Sequence, residues 1–154
     1  MTALKTRPAS AGTAYADDFY TWTQEQGTHL RAGDVSRLDR ENLAEEIESL
    51  GRILFASLVN ALRVVLLHML KVGRQPSKRT RSWSIATHRV HSADELNASP
   101  GLQSRLGEAI GKAYRLARLE AAQETGLALK RFPETCPYTY QDIMDRPFAI
   151  DPES

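Results

Sequence analysis

The side chains able to do chemistry fall into a few groups. Glu41, Glu45 and Glu48 recur at i, i+4 and i+7. That spacing puts three carboxylates on one line of a helix, with Arg52 continuing it. Carboxylates grouped this way can hold a divalent cation or meet a basic partner. They equally mark a solvated helix start, where the dipole favours anions and Glu48 pairs with Arg52. His68 falls on the flank of an apolar face. An imidazole there either packs with a hydrogen bond or acts as base or ligand beside a carboxylate from another helix. Glu124 shares a stripe with Leu106, Ala113, Ala117 and Ala121 near a helix C-terminus. The dipole disfavours an anion there, so Glu124 either takes a cation, from Arg52 or the 74–81 stretch, or turns out to solvent. Glu45, Glu48, His68 and Glu124 are therefore the candidate site.

A second group is basic. Arg74, Lys78, Arg79 and Arg81 follow Lys71, with Trp83 alongside. Bases next to an aromatic suit phosphate contact and base stacking, and they also suit an ordinary connector. No helix-turn-helix, zinc-finger or glycine-rich phosphate-loop spacing accompanies them. His88, His91 and Glu95 share a face at i, i+3 and i+7 but lack a fourth ligand. The Glu-x-x-His spacing of di-iron bundles is absent. Cys136 is the single cysteine, which excludes a disulfide framework. No base lies near it in sequence, so covalent catalysis has no support. Neither a metal nor a cofactor can be named.

The elements that would position these groups are helical. Leu43, Ile47, Leu50, Leu54, Leu58, Ala61, Val65, Met69 and Val72 recur at three- and four-residue steps. They predict one long helix over 38–71, capped by Asp39 or Ser36, with Gly73 and then Pro76 as its breaks. From Ile53 onward it is apolar nearly all round, as a helix buried on several sides is. Asp17 or Asp18 starts a first helix over 16–31, with Phe19 and Trp22 as core anchors and Gly33 at its end. A third helix spans 81–97. Ser99 and Pro100 start a fourth over 100–125, ended by Gly126. Residues 132–138 read as extended, and Thr139 with Asp142 caps a short helix over 140–144. The expected fold is all-α: a four-helix bundle-like core on one long central helix, with a C-terminal extended segment and short helix packed across it.

The chain has 154 residues, 42% hydrophobic and 25% charged. These figures fit a single domain over 13–154 behind a mobile leader, 1–12. The start lacks an apolar signal-peptide core. The apolar run 64–70 is far short of the ~20 residues that span a bilayer. A cytoplasmic protein without a membrane is expected. Charge is laid out unevenly. Residues 1–51 hold five bases against nine acids, 52–93 hold eight bases and no acid, and 94–154 hold seven against ten. The acid-free centre can serve a polyanion, or it can neutralise the acidic thirds within the fold.

The blocks Asp18–Trp22, Leu38–Arg52, Leu67–Lys71, Gln75-Pro76, Arg81–Trp83 and Phe132–Thr139 occur in this order. Together they resemble the domain-of-unknown-function family numbered twenty-nine, small and mostly bacterial single-domain proteins. The resemblance implies a helical bundle and no assigned activity. The sequence departs from the family pattern at Val72-Gly73, where an aromatic would follow the lysine, and at His88 and His91. The first functional expectation is a helical protein–protein interaction module without chemistry of its own, whose partner is another protein or a second copy of the chain. The alternatives are a metal-dependent or acid–base enzyme using the acidic helix and His68, and a nucleic-acid-associated module using the 74–81 loop.

Overall fold

The computed structural model describes residues 12–74 and 82–147, with side chains described from residue 84 in the second stretch. Residues 1–11 of the expected leader, Lys78, Arg79, Arg81 and the Trp83 side chain lie outside the described residues. Among the described residues the fold is all-α: α1 (Phe19–Ala32), α2 (Arg40–Arg74), α3 (Ser82–Ala98), α4 (Leu106–Thr125) and α5 (Tyr140–Asp145). The chain divides into two compact units, residues 1–50 and 51–154.

In the first unit, local signals set the helix ends. Thr21 donates its backbone N–H and its hydroxyl to the Asp18 carboxylate, at 3.0 and 2.6 Å. This satisfies donors that the first turn leaves unpaired. Gly33 sits at φ 70°. Its N–H reaches Leu30 O at 3.2 Å and the Asp34 N–H reaches His29 O at 3.0 Å, the paired bonds of a Schellman stop. A 3-10 turn, Val35–Arg37, leads to α2. Asp39 sits at the hub of this unit. Its carboxylate accepts from the Trp22 indole at 3.1 Å and from the Asn42 side-chain amide at 2.7 Å. Its own N–H donates to the buried Gln26 at 2.8 Å. Tyr15 meets Trp22 edge-on at 4.9 Å, and Phe19 stacks on it at 5.8 Å. Trp22 is buried as expected, whereas Phe19 is half exposed. Phe19 walls the indole and is no core anchor.

The second unit is built on the later part of α2. Phe55, Leu58, Leu62, Val65, Leu66, Met69 and Leu70 join Ile85 and Leu96 of α3 in one core. Ala109, Ala113, Ala117 and Ala121 of α4 complete it, all fully buried. Four alanines at i, i+4 steps present no bulk, so neighbouring side chains come close to the α4 axis. The Arg105 guanidinium and the Lys112 ammonium lie 3.8 and 5.1 Å from the Phe55 ring centre, a cation–π contact that ties α2 to the start of α4.

Two boundaries and one property of α2 differ from expectation. The long helix runs through Gly73 to Arg74, because one interior glycine costs only about 1 kcal/mol. The fourth helix opens as a 3-10 segment, Pro100–Arg105, and Ser99 makes no side-chain cap bond. Here the turn is closed by Leu102 N–H donating to Ser99 O at 2.9 Å. By length and composition α2 is long and apolar enough to cross a membrane, which the run 64–70 counted alone does not reveal.

The C-terminal segment is held across the helices by its carbonyls. Arg74 donates to Arg131 O at 2.8 Å, the Tyr114 hydroxyl to Pro133 O at 2.6 Å, and Arg118 to Phe132 O at 3.2 Å. Arg89 donates to Ile143 O and Arg146 O, both at 2.7 Å. The Thr139–Asp142 capping box opens α5 as the sequence predicts. Gly126 at φ 71° ends α4, also as predicted.

Candidate functional site

Glu41, Glu45 and Glu48 lie exposed on the first turns of α2. Among the described residues no three His, Cys, Asp or Glu side chains are grouped to hold a metal ion. Glu46, between them, behaves differently. It accepts a hydrogen bond from the Tyr15 hydroxyl. That bond, with Glu46's charge nearby, raises the Tyr15 pKa above the usual phenol value. His68 is half-buried on the later part of α2, twenty residues beyond Glu48 in the sequence.

Among the described residues Glu124 takes a cation, Lys71. Lys71 Nζ lies 2.5 Å from its carboxylate. The pair is about half exposed, at 32% and 47% of the two side chains, so Glu124 turns outward from the alanine stripe.

The described part of the acid-free centre is engaged within the fold. Arg63 pairs with Glu120 and Lys71 with Glu124. Arg74 and Arg89 give their guanidinium N–H groups to C-terminal carbonyls. Burial pulls the Arg89 pKa down from its ordinary value. Of the proposed anion contacts, Arg74 is thus a strut for the C-terminal segment.

One cluster has the residue types of a nucleophilic site. Ser57 of α2 meets His91 and Glu95 of α3. Ser57 Oγ donates to Glu95 Oε1 at 2.8 Å and lies 2.9 Å from His91 Nε2. His91 Nε2 is also 3.4 Å from Glu95 Oε1. Ser57 has one proton, and the carboxylate accepts it. In a working triad the carboxylate orients the far nitrogen; here both partners crowd the same one. The cluster is a clasp between α2 and α3. His88 takes no part, since its Nδ1 lies 2.7 Å from Ser84 O.

A groove of about 630 Å³ runs over the first unit, lined by Thr13, Trp22, Glu25, His29, Arg37 and Asp39 among others. Its carboxylates are already partnered. Glu25 accepts from Thr13 N–H at 2.7 Å and from its hydroxyl at 3.0 Å, and Asp39 is engaged as above. Hydrogen bonding to Asn42, chiefly, holds the Asp39 carboxyl below its ordinary pKa.

The unexpected surface is apolar. Ile47, Leu50, Ile53 and Leu54 of α2 are 66%, 64%, 63% and 42% exposed. They continue the stripe that, from Leu58 onward, is core. Leu43 just before them is half-buried.

A family model described as "Domain of unknown function DUF29" matches residues 14–149. The chain belongs to this family. The match takes in every block on which the resemblance rested, and the family carries no assigned activity. No curated protein and no solved structure matches the chain.

Two features escaped the sequence reading. Ser57 stands 34 and 38 residues from His91 and Glu95, so nothing local links them. The periodicity put Ile47, Leu50 and Leu54 on the apolar face of α2 and did not show that they stay exposed, because periodicity shows that a face is apolar and not what covers it.

Proposed function

We propose that the chain works by docking another protein on the outward apolar face of α2, without chemistry of its own, in a bacterial cytoplasm. The observation that carries this is the row Ile47, Leu50, Ile53 and Leu54, contiguous on one helix and open to solvent. Single exposed leucines are ordinary, but a contiguous apolar patch marks an interaction surface. The hydropathy of α2 reaches a mean of 2.0 over an 18-residue window, yet 56% of that window is buried inside the protein. That supports a core helix with one open end over a membrane span. Neither alternative gains an observation. In the Ser-His-Glu cluster found among the described residues, serine and carboxylate crowd the same imidazole nitrogen, and Arg63 and Lys71 of the centre are engaged internally.

The test is a photo-crosslinking amino acid placed at Leu50 in the full chain inside its host cell, with the same group at exposed Glu134 as control. A discrete higher-mass adduct from position 50, missing at 134, is the expected result. No adduct at 50, or the same pattern at both positions, overturns the reading.

A further inference from the structure

We propose that the groove over the first unit binds a small zwitterion of the amino-acid class, its carboxylate held by Gln26, His29 and Arg37 and its amine by Glu25. This goes beyond the docking reading and does not depend on it. The first observation is a buried amide with half of its hydrogen bonding unused. Gln26 is 6% exposed. Its Oε1 accepts from the Asp39 backbone N–H at 2.8 Å. A backbone N–H only donates, so the atom facing it is the amide oxygen and the other arm is the NH2. That nitrogen meets no acceptor among the described residues. No sealed side-chain nitrogen or oxygen among them lacks a partner, so the NH2 is not sealed in. The open space that Gln26 lines is the groove. A donor this deep without an acceptor is unfavourable, and a ligand oxygen removes the penalty.

The neighbours of the amide are of matching kind. Trp22, Glu25, Gln26 and His29 recur at i, i+3, i+4 and i+7 of α1. They share one helix face, and all four line the groove. The His29 imidazole makes no hydrogen bond among the described residues. Arg37 lines the same groove. Its Nε lies 3.3 Å from Asp34, which leaves both NH2 groups of the guanidinium to give. Hydrogen bonding from Ser36, chiefly, and then the charges of Arg37 and His29 hold the Asp34 carboxyl below its ordinary pKa. The two bases therefore stand near one point. Asp34 keeps the Ser36 hydroxyl at 2.7 Å when Arg37 turns to a ligand.

Glu25 offers the opposite charge. It accepts from the Thr13 N–H and hydroxyl, two of the roughly four bonds a carboxylate can take. A Cβ on Gly12 would fall 2.8 Å from Glu25 Oε2, so the bare glycine lets the backbone settle on this carboxylate and hold it in place. Asp39, the other acid in the lining, is engaged by Trp22 and Asn42. Charge selects the ligand. With His29 protonated, two bases balance two acids around the groove. A plain anion or a plain cation meets no net field there, whereas a molecule with both signs finds a mate for each. A volume of about 630 Å³ suits a small molecule. Trp22 and Leu38 give its side chain an apolar wall.

The experiment uses the full chain labelled with heavy nitrogen. Each standard free L-amino acid is added at millimolar concentration, and the Gln26 side-chain amide and Trp22 indole signals are followed by NMR. At least one amino acid is expected to shift both signals and to saturate. Its plain carboxylate without the amine, and its plain amine without the carboxylate, are each expected to bind at least about tenfold more weakly, the loss of one charge-assisted contact. His29→Ala and Arg37→Ala are each expected to weaken binding by about tenfold with unchanged helical circular dichroism. Gln26→Glu keeps an oxygen for the Asp39 N–H and turns the free arm from donor to acceptor, so binding is expected to vanish. Should that buried change unfold the chain, the His29 and Arg37 variants decide. Three results overturn the proposal: no amino acid that moves the Gln26 amide, an affinity indifferent to both His29→Ala and Arg37→Ala, or a plain carboxylate, a plain amine or glycerol bound as well as the amino acid.

Discussion

The two ends of α2 are made of the same materials and meet different fates. Leu58, Leu62, Val65 and Leu66 are sealed under α3, α4 and the C-terminal segment. Ile47, Leu50, Ile53 and Leu54, with the same chemistry at the same spacing, face water. Hydrophobicity and period are properties of a helix, whereas burial is a property of its neighbours. A leucine contributes to stability according to the apolar area it removes from water. The later half of α2 therefore holds the fold, and the earlier half is left for binding.

The comparison breaks most visibly on truncation. Leu62→Ala, at a fully buried position, is expected to cost about 2–5 kcal/mol in urea unfolding, the transfer term plus the cavity left behind. Leu50→Ala, in dilute protein, is expected to stay within about 0.5 kcal/mol of wild type. Equal losses at the two sites would mean that position 50 is covered within the single chain.

The first unit is fastened by polar groups instead of a leucine core, and Asp39 tests that. Asp39→Ala removes the carboxylate that accepts from Asn42 and Trp22. A loss of about 1–2 kcal/mol is expected for such a cap, with faster amide exchange at the start of α2 and little change in 58–70. The folded-state pKa of Asp39 lies below its ordinary value. Its contribution is therefore complete above the unfolded carboxyl pKa, about 3.9, and is lost as pH falls through the lower folded value. An acid titration of wild type and variant should converge at the acid end. Parallel curves would show that the carboxylate is not the fastener.

The smallest effect belongs to Glu124. An inward, unpaired carboxylate would make Glu124→Ala a damaging change, but the half-exposed pair with Lys71 predicts a loss of at most ~1 kcal/mol. A much larger fall in melting temperature would mean that the carboxylate supports the core.

What the sequence determined by itself is what neighbouring residues decide among themselves. Asp18 caps α1, Gly33 and Gly126 take positive φ to stop helices, and Thr139 with Asp142 opens α5. Each is a bond or a dihedral within a few residues, so the residue type suffices. The helical class followed from the 3.6-residue period for the same reason. Tertiary structure alone decided the rest. It joined Ser57 to His91 and Glu95, set Lys71 on Glu124, and gave the central arginines to C-terminal carbonyls. It also stopped the cover over α2 short of Leu54. Partners dozens of residues apart meet only when helices pack, and packing follows the sum of all faces, so no single stretch announces which groups will touch or which apolar row will be left bare.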